Sequence, residues 1–255
     1  MIPHHQTLSP RHIRPLAALL ALISALLLIS STQAAAQTLD HIAVQELPWP
    51  TDTPFTDQRQ TIIQHAAEHG ESDALSFERA RIEHLIGAAG DRKLAQAALE
   101  RLQTLAKQYP DDPIIKAYLG SAKMLRAQRV WWFMTKGKLV REGGDLLEQA
   151  IQADPDNAEL HALAGVSVQN LPDWMDQATR ARDEITLARE LVKAEDAPNR
   201  WTPAVRALIL EAYGALRLEL DQPDEARDAF REAVRIAPNA DAGQRAAQRL
   251  SELDP

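Results

Sequence analysis

Stretches with a helical hydrophobic period are separated at roughly regular intervals by Gly70, Gly90, Pro110-Asp111-Asp112-Pro113, Pro155, Leu171-Pro172, Pro198 and Pro238. Proline lacks a backbone donor and clashes with the preceding turn, and glycine weakens a helix interior, so each break ends a helix. The breaks are short, so successive helices must double back on one another as antiparallel hairpins. Aromatic residues make up only 5% of the chain, while Ala, Leu, Glu, Gln and Arg recur between the breaks. These are helix formers and not strand formers, so the expected class is all-α with no significant β-sheet.

The regular spacing calls for a search for repeats. In the last unit Leu210, Tyr213, Gly214, Ala226, Phe230, Ala233 and Pro238 follow one another. Small residues at Gly214 and Ala226 would let two helices cross closely, and Phe230 would fill the groove between hairpins. This order resembles the tetratricopeptide repeat, in which a large residue, Leu-Gly, Ala, Phe, Ala and Pro recur over ~34 residues. Arg217 stands where that family has Tyr. A second unit runs through Leu119-Gly120, Gly143, Leu147, Ala150 and Pro155, but Gly120 and Gly143 are 23 positions apart against 12 for Gly214 and Ala226. The excess of 11 residues is about three helical turns, so both helices of this hairpin can lengthen and keep their shared face.

Weaker units show at Ala98, Leu102 and Pro110 after a helix over 76–86, and at Ala164-Gly165 before a long helix from about Asp173 to Lys193. The resemblance spans roughly residues 73–253. It implies a right-handed solenoid of about four hairpins with a C-terminal capping helix, occupying residues 56–254. It also implies a concave groove that holds a peptide or protein, with no cofactor and no catalysis.

The N-terminal residues have a different composition. Arg11 and Arg14 precede an apolar and small-residue run from Leu16 to Ile29, followed by Ala34-Ala35-Ala36. A charged start, a short apolar run and small residues define a secretory signal peptide over 1–36, cleaved near Ala36, which predicts a periplasmic protein. An uncleaved anchor is the alternative, but the run is shorter than the ~20 residues of a spanning helix. With no cysteine in the chain, lipid acylation at a thiol, disulfides and Cys-ligated metals are excluded. Residues 37–55, with Pro48, Pro50 and Pro54 around Trp49, read as an extended lead-in.

Loss of Arg11 and Arg14 takes the net charge from −8 to −10, which argues against a nucleic-acid partner. Against this background, residues 113–141 carry Lys116, Lys123, Arg126, Arg129, Lys136, Lys138 and Arg141 and no acid, and within them lies Val130-Trp131-Trp132-Phe133-Met134. This segment is +7, leaving −17 on the rest, and it coincides with the 11-residue excess. One reading makes the aromatics a core plug whose cations pair with acids such as Glu184, Glu190 and Glu211. Consecutive large apolar residues on one helix are spread by 100° steps, however, so at least one faces outward.

The expected recognition surface is therefore Arg126, Arg129, Trp131, Trp132, Phe133, Lys136, Lys138 and Arg141. Two functions compete: a periplasmic adaptor for a protein or peptide, and a membrane-surface accessory of an envelope complex docked through residues 126–141. A zinc hydrolase is a distant third. His65-Ala66-Ala67-Glu68-His69 has the H-x-x-E-H spacing that puts two imidazoles on one helix face beside a carboxylate, but no third ligand is evident. Gly137-Lys138 and Gly165-Val166-Ser167-Val168-Gln169 lack the remaining glycines of a P-loop and a nucleophile elbow. His41, His84 and His161 stand alone in the sequence.

Overall fold

In a computed structural model, residues 38–42, 46–47, 49–169, 171, 177–193 and 201–253 are described. The expected signal peptide and its cleavage point lie outside these residues. Among them are ten helices: α1 (Phe55–His69), α2 (Asp73–Ala88), α3 (Arg92–Gln108), α4 (Pro113–Arg129), α5 (Phe133–Ala153), α6 (Ala158–Gln169), α7 (Ala178–Lys193), α8 (Pro203–Glu219), α9 (Pro223–Ile236) and α10 (Asp241–Leu253). No strand occurs among the described residues. The expected all-α class is the observed one. The helix expected from about Asp173 begins at Ala178 in the described residues, and α1 takes in Phe55, the last residue assigned to the lead-in.

The helix starts follow local chemistry. Ser72, Asp91, Asp112 and Thr202 each accept a hydrogen bond from an N–H of the first turn, and Pro113, Pro203 and Pro223 occupy first-turn positions whose N–H needs no partner. The helices pair as α2/α3, α4/α5, α6/α7 and α8/α9, with α10 closing on α8 and α9. The first helices of neighbouring pairs, α2, α4, α6 and α8, also pack on one another, so Thr38–Pro255 stacks as a solenoid in one compact unit.

Each pair closes at a glycine. A Cβ on Gly87 would lie 2.6 Å from Cα of Ala95, one on Gly120 2.7 Å from the Gly143 carbonyl, one on Gly165 2.6 Å from Ile185, and one on Gly214 2.4 Å from the Phe230 ring. In every case the first helix carries the glycine after a larger apolar residue or alanine. The Gly120/Gly143 crossing lies where the sequence puts it. At Gly214 the nearest neighbour is the Phe230 ring, one turn beyond Ala226, which reaches into the space the glycine leaves and also belongs to the apolar cluster shared with α1, α2 and α10. Arg217, the departure from the repeat pattern, lies over Tyr213 with its guanidinium carbon 4.5 Å from the ring centroid.

Candidate functional site

The groove that the repeat resemblance implies would be lined by α2, α4, α6 and α8. Two of these helices are enclosed at mid-length. Ala80–His84 on α2 and Ala117–Ala122 on α4 are buried without interruption. Five or six successive residues pass more than once around a helix, so no side is left open to a partner at those levels.

Much of the covering is supplied by the lead-in and α1. Leu39 is buried with Phe77, Ile115 and Tyr118, and Trp49, Phe55 and Ile62 share one apolar cluster with Ala204, Ala207, Leu210 and Phe230. Asp112 anchors the lead-in. Its Oδ1 accepts the Ile115 N–H at 2.9 Å and caps α4, while Oδ2 accepts the Leu39 N–H and meets His41 Nε2, both at 2.9 Å. Burial alone would raise the Asp112 carboxyl, but these hydrogen bonds outweigh it and hold the group below its usual range. Phe55 N–H donates to Asp241 at 2.7 Å, joining the first helix to the last. The proline content of the lead-in predicts an extended segment. Only the fold shows that it is packed.

Between these helices lies a buried polar core. Arg81 donates to Glu78 at 2.6 Å and reaches Glu159 at 3.4 Å, and the Tyr118 hydroxyl donates to Glu159. Burial raises Glu78 and raises Tyr118 well above the phenolic range. His84 meets Ser121 at 3.0 Å, Ser167 donates to Ser121 at 2.9 Å, and burial pushes His84 down to about 4, so it is neutral at pH 7. Glu83 is gripped by Arg59 and Arg79 at 3.0 Å and by Arg101 at 3.4 Å. A cavity of about 40 Å³ bounded by the lead-in, Phe77, Glu78, Arg81, Ile114, Glu159 and Thr202 has room for water and for no larger ligand. The three histidines that stand alone in the sequence are therefore held in the fold: His41 by Asp112, His84 by Ser121, and His161 by Glu184 at 2.6 Å and the Pro155 carbonyl at 2.7 Å.

The spacing of His65 and His69 does put them on one face, where their rings stack at 4.3 Å. His69 Nδ1 is 3.2 Å from the His65 carbonyl, and Gln64 donates to Glu68 at 3.0 Å. Among the described residues no group of three or more His, Asp or Glu side chains is placed to hold a metal ion. Among the described residues, then, the pair has no third protein ligand of the kind a catalytic zinc takes.

The basic aromatic segment forms the α4–α5 tip. Trp131 and Trp132 lie in the turn between the helices, and Phe133 and Met134 open α5. They are 91%, 58%, 77% and 71% exposed, so the core-plug reading does not hold. The reason is local: a turn at Val130–Trp132 removes the aromatics from a single helix, and the first six residues of α5 are exposed on every side. The first buried residue of α5 is Gly143, ten residues or about 15 Å along its axis from Phe133.

The cations divide into two groups. Arg126 donates to Gln96 at 2.6 Å and Arg129 to the Gly87 carbonyl at 2.8 Å, so these two brace α4 against the preceding hairpin. Lys123 donates to Glu142 at 2.8 Å and Lys138 lies 3.6 Å from it. The side chains of Lys136 and Arg141 make no ion pair or hydrogen bond among the described residues. Glu184, Glu190 and Glu211 are engaged instead by His161, Arg189 and Arg245. All eight residues of the expected surface are exposed; the side chains of Trp131, Trp132, Phe133, Lys136 and Arg141 have no ion pair or hydrogen bond among the described residues, whereas Lys138, Arg126 and Arg129 are each partnered within the fold. No helix among the described residues is long and apolar enough to cross a membrane.

Paired helices crossing at small residues and stacked through their first members define a helical-hairpin repeat solenoid of the tetratricopeptide type. One solved structure supports this fold. A thermophilic TPR protein of Thermus thermophilus superposes with a TM-score of 0.54 at 19% identity, covering 78% of this chain and 90% of its own. MamA of Desulfovibrio magneticus RS-1 also matches, at 14% identity and a TM-score of 0.38, covering 71% of this chain and 85% of its own. No protein-family model and no curated protein matches the chain.

Proposed function

We propose that this protein is a non-enzymatic interaction scaffold of the periplasm or cell envelope, which carries protein partners on its helical array and is docked through the α4–α5 tip. The observation that carries this reading is the tip itself, where four consecutive large apolar residues stand in water beside free cations. Exposed apolar surface of this kind on a folded chain marks an interaction site. The inner face is covered by the chain's own lead-in and α1, which moves recognition to the outside of the solenoid. The solenoid fold supports a scaffold role, and the composition of residues 1–36 supports export.

The test compares the wild type with Trp131→Ala/Trp132→Ala, first by thermal unfolding and then by retention of components from envelope extracts. The double variant should unfold with the wild type and yet lose roughly 2 kcal/mol or more of binding, about 30-fold. Equal retention by both proteins would sink the assignment of the tip. Stoichiometric zinc in the purified protein, lost on His65→Ala, would overturn its non-enzymatic character.

A further inference from the structure

We infer that what the α4–α5 tip docks on is an anionic lipid surface. The inference rests on the reading of the tip as a docking site and names its occupant. Three features of the tip select a bilayer over a protein.

The first is the distribution of exposure. Every residue from Trp131 to Lys138 is exposed, so the apolar groups radiate around the tip and do not form one face. A protein surface would cover one side and leave the others wet. An interface that surrounds the tip covers them all.

The second is the identity of the groups. The Trp131 and Trp132 rings lie 6.2 Å apart and tilted by 44°, beside Phe133 and Met134. Tryptophan settles at the headgroup level because its ring is apolar and its N–H is polar.

The third is the placement of charge. Lys136, Lys138 and Arg141 follow Phe133 at about 4.5, 7.5 and 12 Å along α5. A tip immersed by about 5–10 Å would therefore bring the two lysines among lipid phosphates. The nearest acid, Glu142, pairs with Lys123 at 2.8 Å and lies 3.6 Å from Lys138, and with it counted residues 113–142 still carry seven cations against one acid, a net +6. The remainder of the exported chain is strongly acidic, so attraction to an anionic surface is concentrated at this end.

The chain has no cysteine, so Thr135→Cys carries a single environment-sensitive fluorophore on the full-length protein. A second protein labelled through Gln248→Cys, on the exposed side of α10, reports on the body. Each is mixed with vesicles of phosphatidylglycerol and phosphatidylcholine, or of phosphatidylcholine alone, containing a spin-labelled quencher lipid. Because the label reports on its own surroundings, membrane attachment through the N-terminal apolar run does not mimic the result.

The label at residue 135 should shift to the blue and lose most of its emission in anionic vesicles. The effect should be about tenfold or more weaker in neutral vesicles or in high salt. Lys136→Glu/Lys138→Glu or Trp131→Ala/Trp132→Ala should abolish it, while the label at residue 248 stays in water throughout. A label at 135 that remains in water in anionic vesicles overturns the lipid assignment. If the tryptophan variant then still loses a component of envelope extracts, the docking site stands with an acidic protein as its occupant. If it loses nothing, both readings fail together.

Discussion

The α4–α5 hairpin contains four glycines whose replacement by alanine should act with opposite sign. At Gly120 the new methyl group would sit 2.7 Å from the Gly143 carbonyl oxygen, and at Gly143 it would sit 2.6 Å from Met124 and 2.7 Å from the Gly120 carbonyl. Carbon and carbonyl oxygen need roughly 3.3 Å, and the obstacle is backbone, so the helices must part by about half an ångström. That movement loosens the contacts of Met124, Leu147 and Ala150, which are buried together. Overpacking of this kind costs roughly 1–3 kcal/mol, and the alanine returns about 1 kcal/mol through its helix propensity. The expected net effect is a loss of up to about 2 kcal/mol at either position. At Gly137 and Gly144 a methyl carbon would meet nothing within 4 Å, so alanine there should instead stabilise by about 0.5–1 kcal/mol. Urea unfolding followed by circular dichroism at 222 nm gives the four midpoints under one protocol. If Gly120→Ala raises the midpoint as Gly144→Ala does, the close backbone crossing does not exist.

Gly214→Leu should destabilise by at least roughly 1–3 kcal/mol, since even a methyl group there meets the Phe230 ring at 2.4 Å; a neutral result in thermal unfolding would place Phe230 elsewhere. Glu83→Ala should cost about 3–5 kcal/mol in the same assay, because it leaves Arg59, Arg79 and Arg101 facing one another without their shared carboxylate. His84 has its folded value lowered from 6.5 to about 4, so the unfolded chain takes up the proton first, and its contribution to stability falls by up to about 3 kcal/mol as pH drops from 6.5 to 4. His161 is raised, so its contribution is complete below 6.5 and fades as pH rises through its folded value. Unfolding midpoints measured across this range should therefore fall less steeply for His84→Gln than for the wild type, and parallel curves would contradict the burial of His84.

The helices, their order and their breaks were legible in the sequence because hydrophobic period, proline and glycine act over a few residues. The Gly120/Gly143 crossing and the outward Trp-Trp-Phe cluster were legible for the same reason: a glycine at a repeat position and an unbroken run of large apolar residues each admit few arrangements. Gly87 and Gly165 carry the same signal, a small residue after an apolar one, and mark the crossings of the two hairpins whose repeat pattern is weakest. What the tertiary structure alone decided is which surfaces remain. Asp112 reads locally as part of a turn, yet it joins α4 to Leu39 and His41 more than seventy positions away. Arg126 and Arg129 read as part of the docking surface, and only the fold shows that they also hold Gln96 and the Gly87 carbonyl. The lead-in reads only as an extended segment before the first helix, and the fold shows that with α1 it covers the face a solenoid would otherwise offer. Local propensity sets where helices start and stop, but occupancy of a groove and the pairing of a charge depend on residues brought together only by the closing of the whole array.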